Sequence, residues 1–152
     1  MSEILFYHLT ERPLEQVLPE ILEKSLQRGW KVAVKCTNRA RLDMLDSQLW
    51  TYREDSFLPH GRQGEANAAL QPILLTNTEP SNDPQILILV DGARPELSAI
   101  DRFERVCILF DGNDPDRLAE AREDWQGVAK AGAKAVYWAQ DGGKWVKKAE
   151  SN

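Results

Sequence analysis

Apolar residues follow two spacings along this chain, and the spacings predict strands and helices in alternation. Residues 4–9 (ILFYHL) and 31–36 (KVAVKC) are apolar and rich in strand-forming residues, which predicts two strands. Over residues 14–28, apolar side chains recur every three or four positions, the period of an amphipathic helix. Pro19 conflicts with that helix because proline removes a backbone hydrogen bond, and a helix start nearer Leu18 is the alternative.

A leucine-rich helix is predicted after the second strand. Thr37 or Asn38 can cap its first turn, because both side chains accept hydrogen bonds from backbone N–H groups. Its apolar stripe consists of Leu42, Leu45, Leu49 and Trp50. The sequence SFLPH then predicts a short extended run that Pro59 ends, and residues 61–71 predict a loop that can hold one helical turn.

The strand-like runs in the middle of the chain are almost wholly apolar. PILLT, residues 72–76, predicts one strand, and RVCILF, residues 105–110, predicts another. QILILVD, residues 85–91, is apolar on both faces, which is typical of a central parallel strand. A helix around residues 95–103 separates the last two runs.

The C-terminal third begins with an Asp-Pro pair that favours a helix start. Asp114 suits the N-cap and Pro115 the first helical position, and Gly132 ends the helix after about Ala131. AVYWAQ, two glycines and KWVKK then predict a strand, a tight turn and a short extended tail, as in a hairpin. Because strands alternate with helices, we predict an α/β fold with a mostly parallel sheet, helices on both faces and one domain over residues 1–152.

The charge balance narrows the range of partners. A net charge of −5 argues against broad, sequence-independent binding to nucleic acid, so we expect no direct nucleic-acid partner, although a small local basic patch is not excluded. Cationic residues gather in the C-terminal third, which we take as the only basic region. Cys36 and Cys107 lie in apolar runs without nearby histidine, as buried hydrophobes do, so we expect no metal. The first residues resemble neither a signal peptide nor a membrane span, so we expect a cytoplasmic protein with no membrane partner.

Catalytic chemistry has little support in the sequence. The turn after the first strand, YHLTERPLEQ, lacks the glycines of a phosphate-binding loop, so we expect no nucleotide cofactor. Asp91 and Asp111 both end predicted strands in Asp-Gly pairs and are interpreted as turn residues. The alternative is a small enzyme that uses these two carboxylates on a phosphorylated or nucleotide ligand. His8 and His60 are far apart in the sequence, and His60 is interpreted as structural or interfacial.

Two aromatic segments are candidates for protein binding. In residues 45–60, a helix ends at Trp50 and SFLPH follows, which is either a packed helix and strand or an exposed apolar edge for a partner. In residues 114–132, Arg122 precedes Trp125 by three positions, so the two side chains are neighbours on a helix. Either Trp125 is core and Arg122 pairs with Glu123, Asp124 or solvent, or the two receive a carboxylate beside an apolar pocket.

The same segments resemble the chi subunit of bacterial DNA polymerase III. The run LDSQLW followed by SFLPH, the opening ILFYHL and the segment AREDW before AKAG match that family's motifs in order, over nearly the whole chain. The resemblance implies a Rossmann-like fold without a nucleotide site, and a non-catalytic accessory subunit. It implies binding to the acidic C-terminal tail of single-stranded DNA-binding protein, which ends in Pro-Phe, and to the psi subunit of the clamp loader.

The resemblance also implies roles for individual residues. Arg122 matches the residue that takes the tail's carboxylates, and Trp125 matches a Tyr beside the pocket for the tail's Phe. Gln126 stands where a Lys is found in the family, and Lys130 is a cation that can compensate, with Arg117 or Lys134 as further possibilities. Phe57 matches an aromatic residue on the psi-binding side. That side is expected to comprise Trp50, Phe57, Leu58 and Pro59.

Overall fold

The strands form one twisted sheet in which nearly all neighbours run parallel. The computed structural model describes residues 2–51 and 58–151. Its strands are β1 (Glu3–Leu9), β2 (Val32–Lys35), β3 (His60–Arg62), β4 (Ile73–Thr76), β5 (Ile86–Leu89), β6 (Arg105–Asp111), β7 (Lys134–Asp141) and β8 (Lys144–Ser151). They lie in the order β3-β4-β2-β5-β6-β1-β7-β8, and only β8, which forms a hairpin with β7, pairs antiparallel within the described part of the chain.

Helices cover both faces of this sheet, as predicted. The α-helices are α1 (Leu14–Gln27), α2 (Arg39–Trp50) and α3 (Pro115–Lys130), with short 3₁₀ turns at Ala68–Leu70 and Leu97–Arg102. The first two helices pack their leucines against one face of the sheet, and α3 packs Ala121 and Val128 against the other. The fold is therefore Rossmann-like, and no described helix is long and apolar enough to cross a membrane.

The most apolar strand lies where its sequence predicts. Strand β5 pairs with β2 on one side and β6 on the other. Ile86 and Ile88 point into the core under α1 and α2, whereas Leu89 points into the core under α3. Cys36 and Cys107 are also buried, and burial raises the pKa of the Cys107 thiol to about 12, so both behave as the small hydrophobes that were predicted.

Pro19 lies inside α1, which begins at Leu14 and not nearer Leu18. A proline at this position leaves the carbonyl of Glu15, four residues earlier, without its helical N–H partner. The Gln48 side chain on α2 donates to that carbonyl at 3.1 Å, which satisfies the lone oxygen and ties the two helices together. A neighbouring helix thereby allows proline where the helix alone would exclude it.

Side-chain caps fix where α2 and α3 begin. The Asn38 side chain accepts from the backbone N–H of Arg41 at 2.8 Å, so Asn38 and not Thr37 is the cap of α2. Asp114 accepts from the N–H of Asp116 at 3.0 Å, with Pro115 in the first turn as predicted. At the other end of α3, Gly132 has a φ of 78°, a value that glycine adopts readily.

Candidate functional site

Helix α3 presents Arg122 to solvent because another arginine neutralises the neighbouring carboxylates. Arg94, in the loop after β5, donates to Asp124 at 2.7 Å and to Glu123 at 3.1 Å. One of the two interpretations of this helix pairs Arg122 with these carboxylates. Arg122 itself is exposed and makes no hydrogen bond or ion pair with residues 2–51 or 58–151. Its guanidinium is therefore available to a carboxylate from outside the chain.

Trp125 lies at the edge of an aromatic cluster on the α3 face of the sheet. Its ring meets Phe6 edge-on, with centroids 5.4 Å apart, and Tyr137 edge-on at 5.9 Å. The residue is half-buried, so part of the indole supports the core and part remains open to solvent. Edge-to-face packing of this kind fixes the ring's orientation, which gives α3 a rigid aromatic wall beside Arg122.

His8 and Tyr137 belong to this region although their sequence positions did not single them out. The two strands that carry them are neighbours, and the His8 Nδ1 lies 2.9 Å from the Tyr137 hydroxyl. Burial lowers the pKa of His8, and the positive charge of Arg122 lowers it further. Burial raises the pKa of Tyr137, which Arg122 opposes. Arg122 therefore lies close enough to both rings to act on their ionisation.

Exposed side chains continue from Arg122 along one line of the helix. Gln126 and Lys130 follow at intervals of four residues, and both are exposed. Residues four apart on a helix are neighbours, so the three side chains form a strip beside Trp125. We call Arg122, Trp125, Gln126 and Lys130 the α3 strip. They are the four residues predicted from the sequence to bind the tail.

The residues predicted for the psi-binding side lie at the end of α2 and just after it. Trp50 is 54% exposed and its ring lies on the imidazole of His60, with centroids 4.3 Å apart. His60 is buried, with Nδ1 2.6 Å from the Leu58 carbonyl and Nε2 3.2 Å from a carboxylate oxygen of Asp46, so it has the first of the two roles predicted for it, structural or interfacial. Leu58 is in the core and therefore offers no surface, and Pro59 is half-buried. Phe57 lies outside the described residues.

The carboxyl ends of the strands form a cleft of about 500 Å³, where an enzyme of this fold binds its ligand. Its arginines are already engaged: Arg12 with Glu20 at 2.6 Å, Arg41 with Glu15 at 2.6 Å, and Arg117 with Glu120 at 2.8 Å. The carboxylates that line it are Glu11, Glu15, Asp91, Asp111 and Asp114. Five carboxylates against three paired arginines make the cleft unfavourable for a phosphate.

Both strand-end aspartates hold loops in place. Asp91 has a φ of 50° and its carboxylate accepts a hydrogen bond from Arg41. The Asp111 carboxylate accepts from the backbone N–H of Asn113 at 2.9 Å. Each side chain is thus bound to its own loop or to α2, which agrees with their interpretation as turn residues. Among the described residues, no three His, Cys, Asp or Glu side chains are grouped so that they could hold a metal ion.

The turn where nucleotide-binding relatives of this fold hold a phosphate is occupied by the protein's own side chain. The backbone N–H groups of Thr10, Glu11 and Arg12 all donate to Oε1 of Gln140, at 2.8, 2.8 and 3.1 Å. In return, the Glu11 carboxylate accepts from the N–H groups of Gly142 and Gly143, both at 2.9 Å. These reciprocal bonds, named here the Gln140 clamp, join the β1–α1 turn to the β7–β8 hairpin.

These features define a class: a Rossmann-like α/β domain whose first β–α turn is occupied by a side chain of the protein, and whose last helix carries an exposed arginine beside a half-buried tryptophan. Residues 1–136 match the family model described as "DNA polymerase III chi subunit, HolC", and the chain belongs to that family. Members of this family are accessory subunits of a replicative DNA polymerase. The match includes the whole α3 strip.

Curated relatives carry the same family name. The probable DNA polymerase III subunit chi of Rickettsia prowazekii (strain Madrid E) is 26% identical over 91 residues, which cover 59% of this chain and 55% of that protein. The DNA polymerase III subunit chi of Pseudomonas aeruginosa is 31% identical over 94 residues, 62% of this chain and 64% of that protein. The matched segments therefore span less than two thirds of either relative.

Proposed function

We propose that this protein is a non-catalytic subunit of the DNA polymerase III holoenzyme that binds the acidic C-terminal tail of single-stranded DNA-binding protein and links it to the clamp loader in the cytoplasm. The proposal rests mainly on the exposure of the Arg122 side chain and on its lack of a partner within the described residues. Arg122 is exposed and unpaired among the described residues, although acidic side chains immediately follow it in the helix, because Arg94 binds them.

The α3 strip suits such a tail in charge and in shape. An acidic peptide that ends in Phe needs a cation for its carboxylates and an apolar surface for its ring. Arg122 and Lys130 supply cations, and the open part of Trp125 supplies the apolar surface. One arginine–carboxylate pair and one sheltered ring typically give micromolar affinity, about −8 kcal/mol. Gln126 is uncharged, so the acidic part of the tail finds only Arg122 and Lys130 as cations in the strip.

A second surface at the end of α2 is proposed to bind the psi subunit or another clamp-loader component. Trp50, which is 54% exposed, offers an apolar ring there, and Pro59 is half-buried. The buried His60 holds the Trp50 ring from beneath, so the surface is rigid before a partner arrives. Leu58 supports this surface from the core, and Phe57 is proposed to extend it.

Calorimetry with a tail peptide tests the proposal. The peptide Asp-Asp-Asp-Ile-Pro-Phe should bind, and the same peptide without its final Phe should not. Arg122→Ala should weaken binding by about 2 kcal/mol, roughly thirtyfold, because a charged hydrogen bond is lost. Arg102→Ala is the matched control, since Arg102 is an exposed arginine that pairs with Glu79 in another part of the chain. Equal affinity for both peptides would rule out the Phe pocket.

The cleft at the strand ends supports one alternative, an enzyme that acts on a phosphorylated or nucleotide ligand through Asp91 and Asp111. Its volume is adequate for a small ligand. We prefer the adaptor function because the cleft's arginines are paired and the Gln140 clamp occupies the phosphate turn. Thermal unfolding with magnesium and nucleotide separates the two, since only the enzyme predicts that these ligands raise the melting temperature.

A further inference from the structure

A basic and aromatic pocket of about 410 Å³ lies on the face of the sheet opposite the α3 strip. Its cations are Lys24 and Arg28 at the end of α1 and Arg105 at the start of β6. Its aromatic walls are Tyr7 of β1 and Trp145 of β8, both of which pack against the core under α1. Sequence reasoning placed the basic region only in the C-terminal third, because these cations are brought together by the fold alone.

Charge in this pocket has one sign. Three cations line it and no carboxylate does, whereas carboxylates outnumber arginines in the cleft at the strand ends. Arg105 pairs with Glu3 at 3.0 Å, but its Nε is buried and makes no hydrogen bond with any described residue. Lys24 and Arg28 form no ion pair within residues 2–51 and 58–151. The pocket therefore has unused positive charge in a protein whose net charge is negative.

The positions of these groups are fixed before any ligand binds. The guanidinium carbons of Arg28 and Arg105 lie 5.0 and 5.3 Å from the centre of the Trp30 ring, so both stack on the same indole. The Tyr7 and Trp145 rings meet edge-to-face with centroids 5.1 Å apart. The Tyr7 hydroxyl is protonated at neutral pH and can donate, and burial raises its pKa further. The pocket thus offers hydrogen-bond donors beside rigid rings.

We propose that this pocket binds single-stranded nucleic acid, with phosphate oxygens on Lys24, Arg28 and Arg105 and a base against Trp145. A volume of about 410 Å³ is within the range of small-ligand pockets, roughly 300–1,000 Å³, and accommodates one nucleotide unit. Strand β8 adds the exposed Lys144, Lys147 and Lys148, of which Lys147 pairs with Glu150 at 3.3 Å.

Nucleic acid fits these features better than an acidic peptide does. Every nucleotide brings both an anion and a flat ring, so any register along a strand satisfies the pocket, whereas a peptide needs an aromatic residue at one position. The net charge of −5 argues against an extensive positive electrostatic field and therefore against strong binding. A local cluster of three cations is compatible with weak binding that decreases steeply with salt. The proposal thereby revises the expectation that nucleic acid is no direct partner.

Fluorescence anisotropy with a labelled oligothymidylate of about twelve nucleotides tests the proposal at low salt. The full-length protein should bind with a Kd on the order of 10⁻⁴ M or tighter. Arg28→Ala should weaken binding about tenfold and reduce the salt slope by roughly 0.7, the value for one lost phosphate contact on a single strand. Trp145→Leu should weaken binding at least fivefold, whereas Trp145→Phe, which keeps a ring, should retain most of it. A melting curve for each variant identifies any that fail to fold.

Arg102→Ala is the charge-matched control, because Arg102 is an exposed cation that does not line the pocket and pairs with Glu79. It should change the oligonucleotide affinity less than twofold. The proposal is overturned if the oligonucleotide does not bind at millimolar protein, or if Arg102→Ala weakens binding as much as Arg28→Ala does. It is also overturned if Arg28→Ala abolishes binding of an acidic, Phe-containing peptide and leaves the oligonucleotide unaffected.

Discussion

Replacing Gln140 with methionine should loosen the contact between the β1–α1 turn and the β7–β8 hairpin. Methionine keeps the length and volume of the side chain but removes the oxygen that accepts from Thr10, Glu11 and Arg12. At roughly 0.5–1.5 kcal/mol each, three hydrogen bonds set an upper limit of about 4.5 kcal/mol. Thr10 and Glu11 are exposed, so water can replace the lost acceptor for two of the three N–H groups.

The expected loss is therefore about 1–2 kcal/mol of unfolding free energy, which corresponds to a fall of roughly 2–8 °C in Tm for a chain of this size. Urea unfolding followed by circular dichroism measures it. Gln140→Glu is the matched control, because it keeps an acceptor oxygen and should lose less. If Gln140→Met unfolds at the same urea concentration as the wild type, the three N–H groups do not depend on Gln140 and the clamp has no energetic role.

Three further outcomes follow from single contacts. Burial lowers the pKa of His8 below 6.5, so between that lowered value and 6.5 the unfolded state binds more protons than the folded state. The free energy of unfolding should therefore fall as the pH is lowered through this window, and it should fall less in His8→Gln. Urea midpoints at pH 7.5 and 5.5 measure the difference. A Cβ at Gly112 would lie 1.9 Å from the His8 ring, so Gly112→Ala should cost about 1–3 kcal/mol, and less when His8 is already alanine, which a double-mutant cycle of urea midpoints checks. Gln48→Met should cost about 1 kcal/mol in the same unfolding assay because the Glu15 carbonyl loses its donor, and an unchanged midpoint would show that water satisfies that oxygen.

Local sequence patterns predicted most of the helices and strands, because where a helix or a tight turn begins and ends depends on residues close together in the sequence. The Asp114–Pro115 start of α3 and the hairpin at Gly142 and Gly143 are decided within a few residues. Strand β3 was missed, since HGR has no apolar alternation and is a strand only through its pairing with β4. The segment at 95–103 forms a shorter 3₁₀ turn, Leu97–Arg102, instead of a regular helix.

The candidate sites depend on contacts between residues that are far apart in the sequence, and the spacing of residues along the chain does not reveal such contacts. The helical period alone pairs Arg122 with Trp125, but no local pattern indicates that Arg94, in a loop 30 residues away, binds the adjacent carboxylates. Trp50 was assigned to the same apolar stripe as the α2 leucines, yet it is more than half exposed because it is the last residue of the helix. His8 joins the aromatic cluster only through the pairing of β1 with β7.

The most direct test of the adaptor function is a pull-down of single-stranded DNA-binding protein by this chain. Full-length single-stranded DNA-binding protein should be retained, and a version without its last few residues should be lost. Arg122→Ala should reduce retention of the full-length protein, whereas Arg102→Ala should not. Equal retention of the full-length and shortened proteins would contradict the account, because the α3 strip would then have no tail to bind.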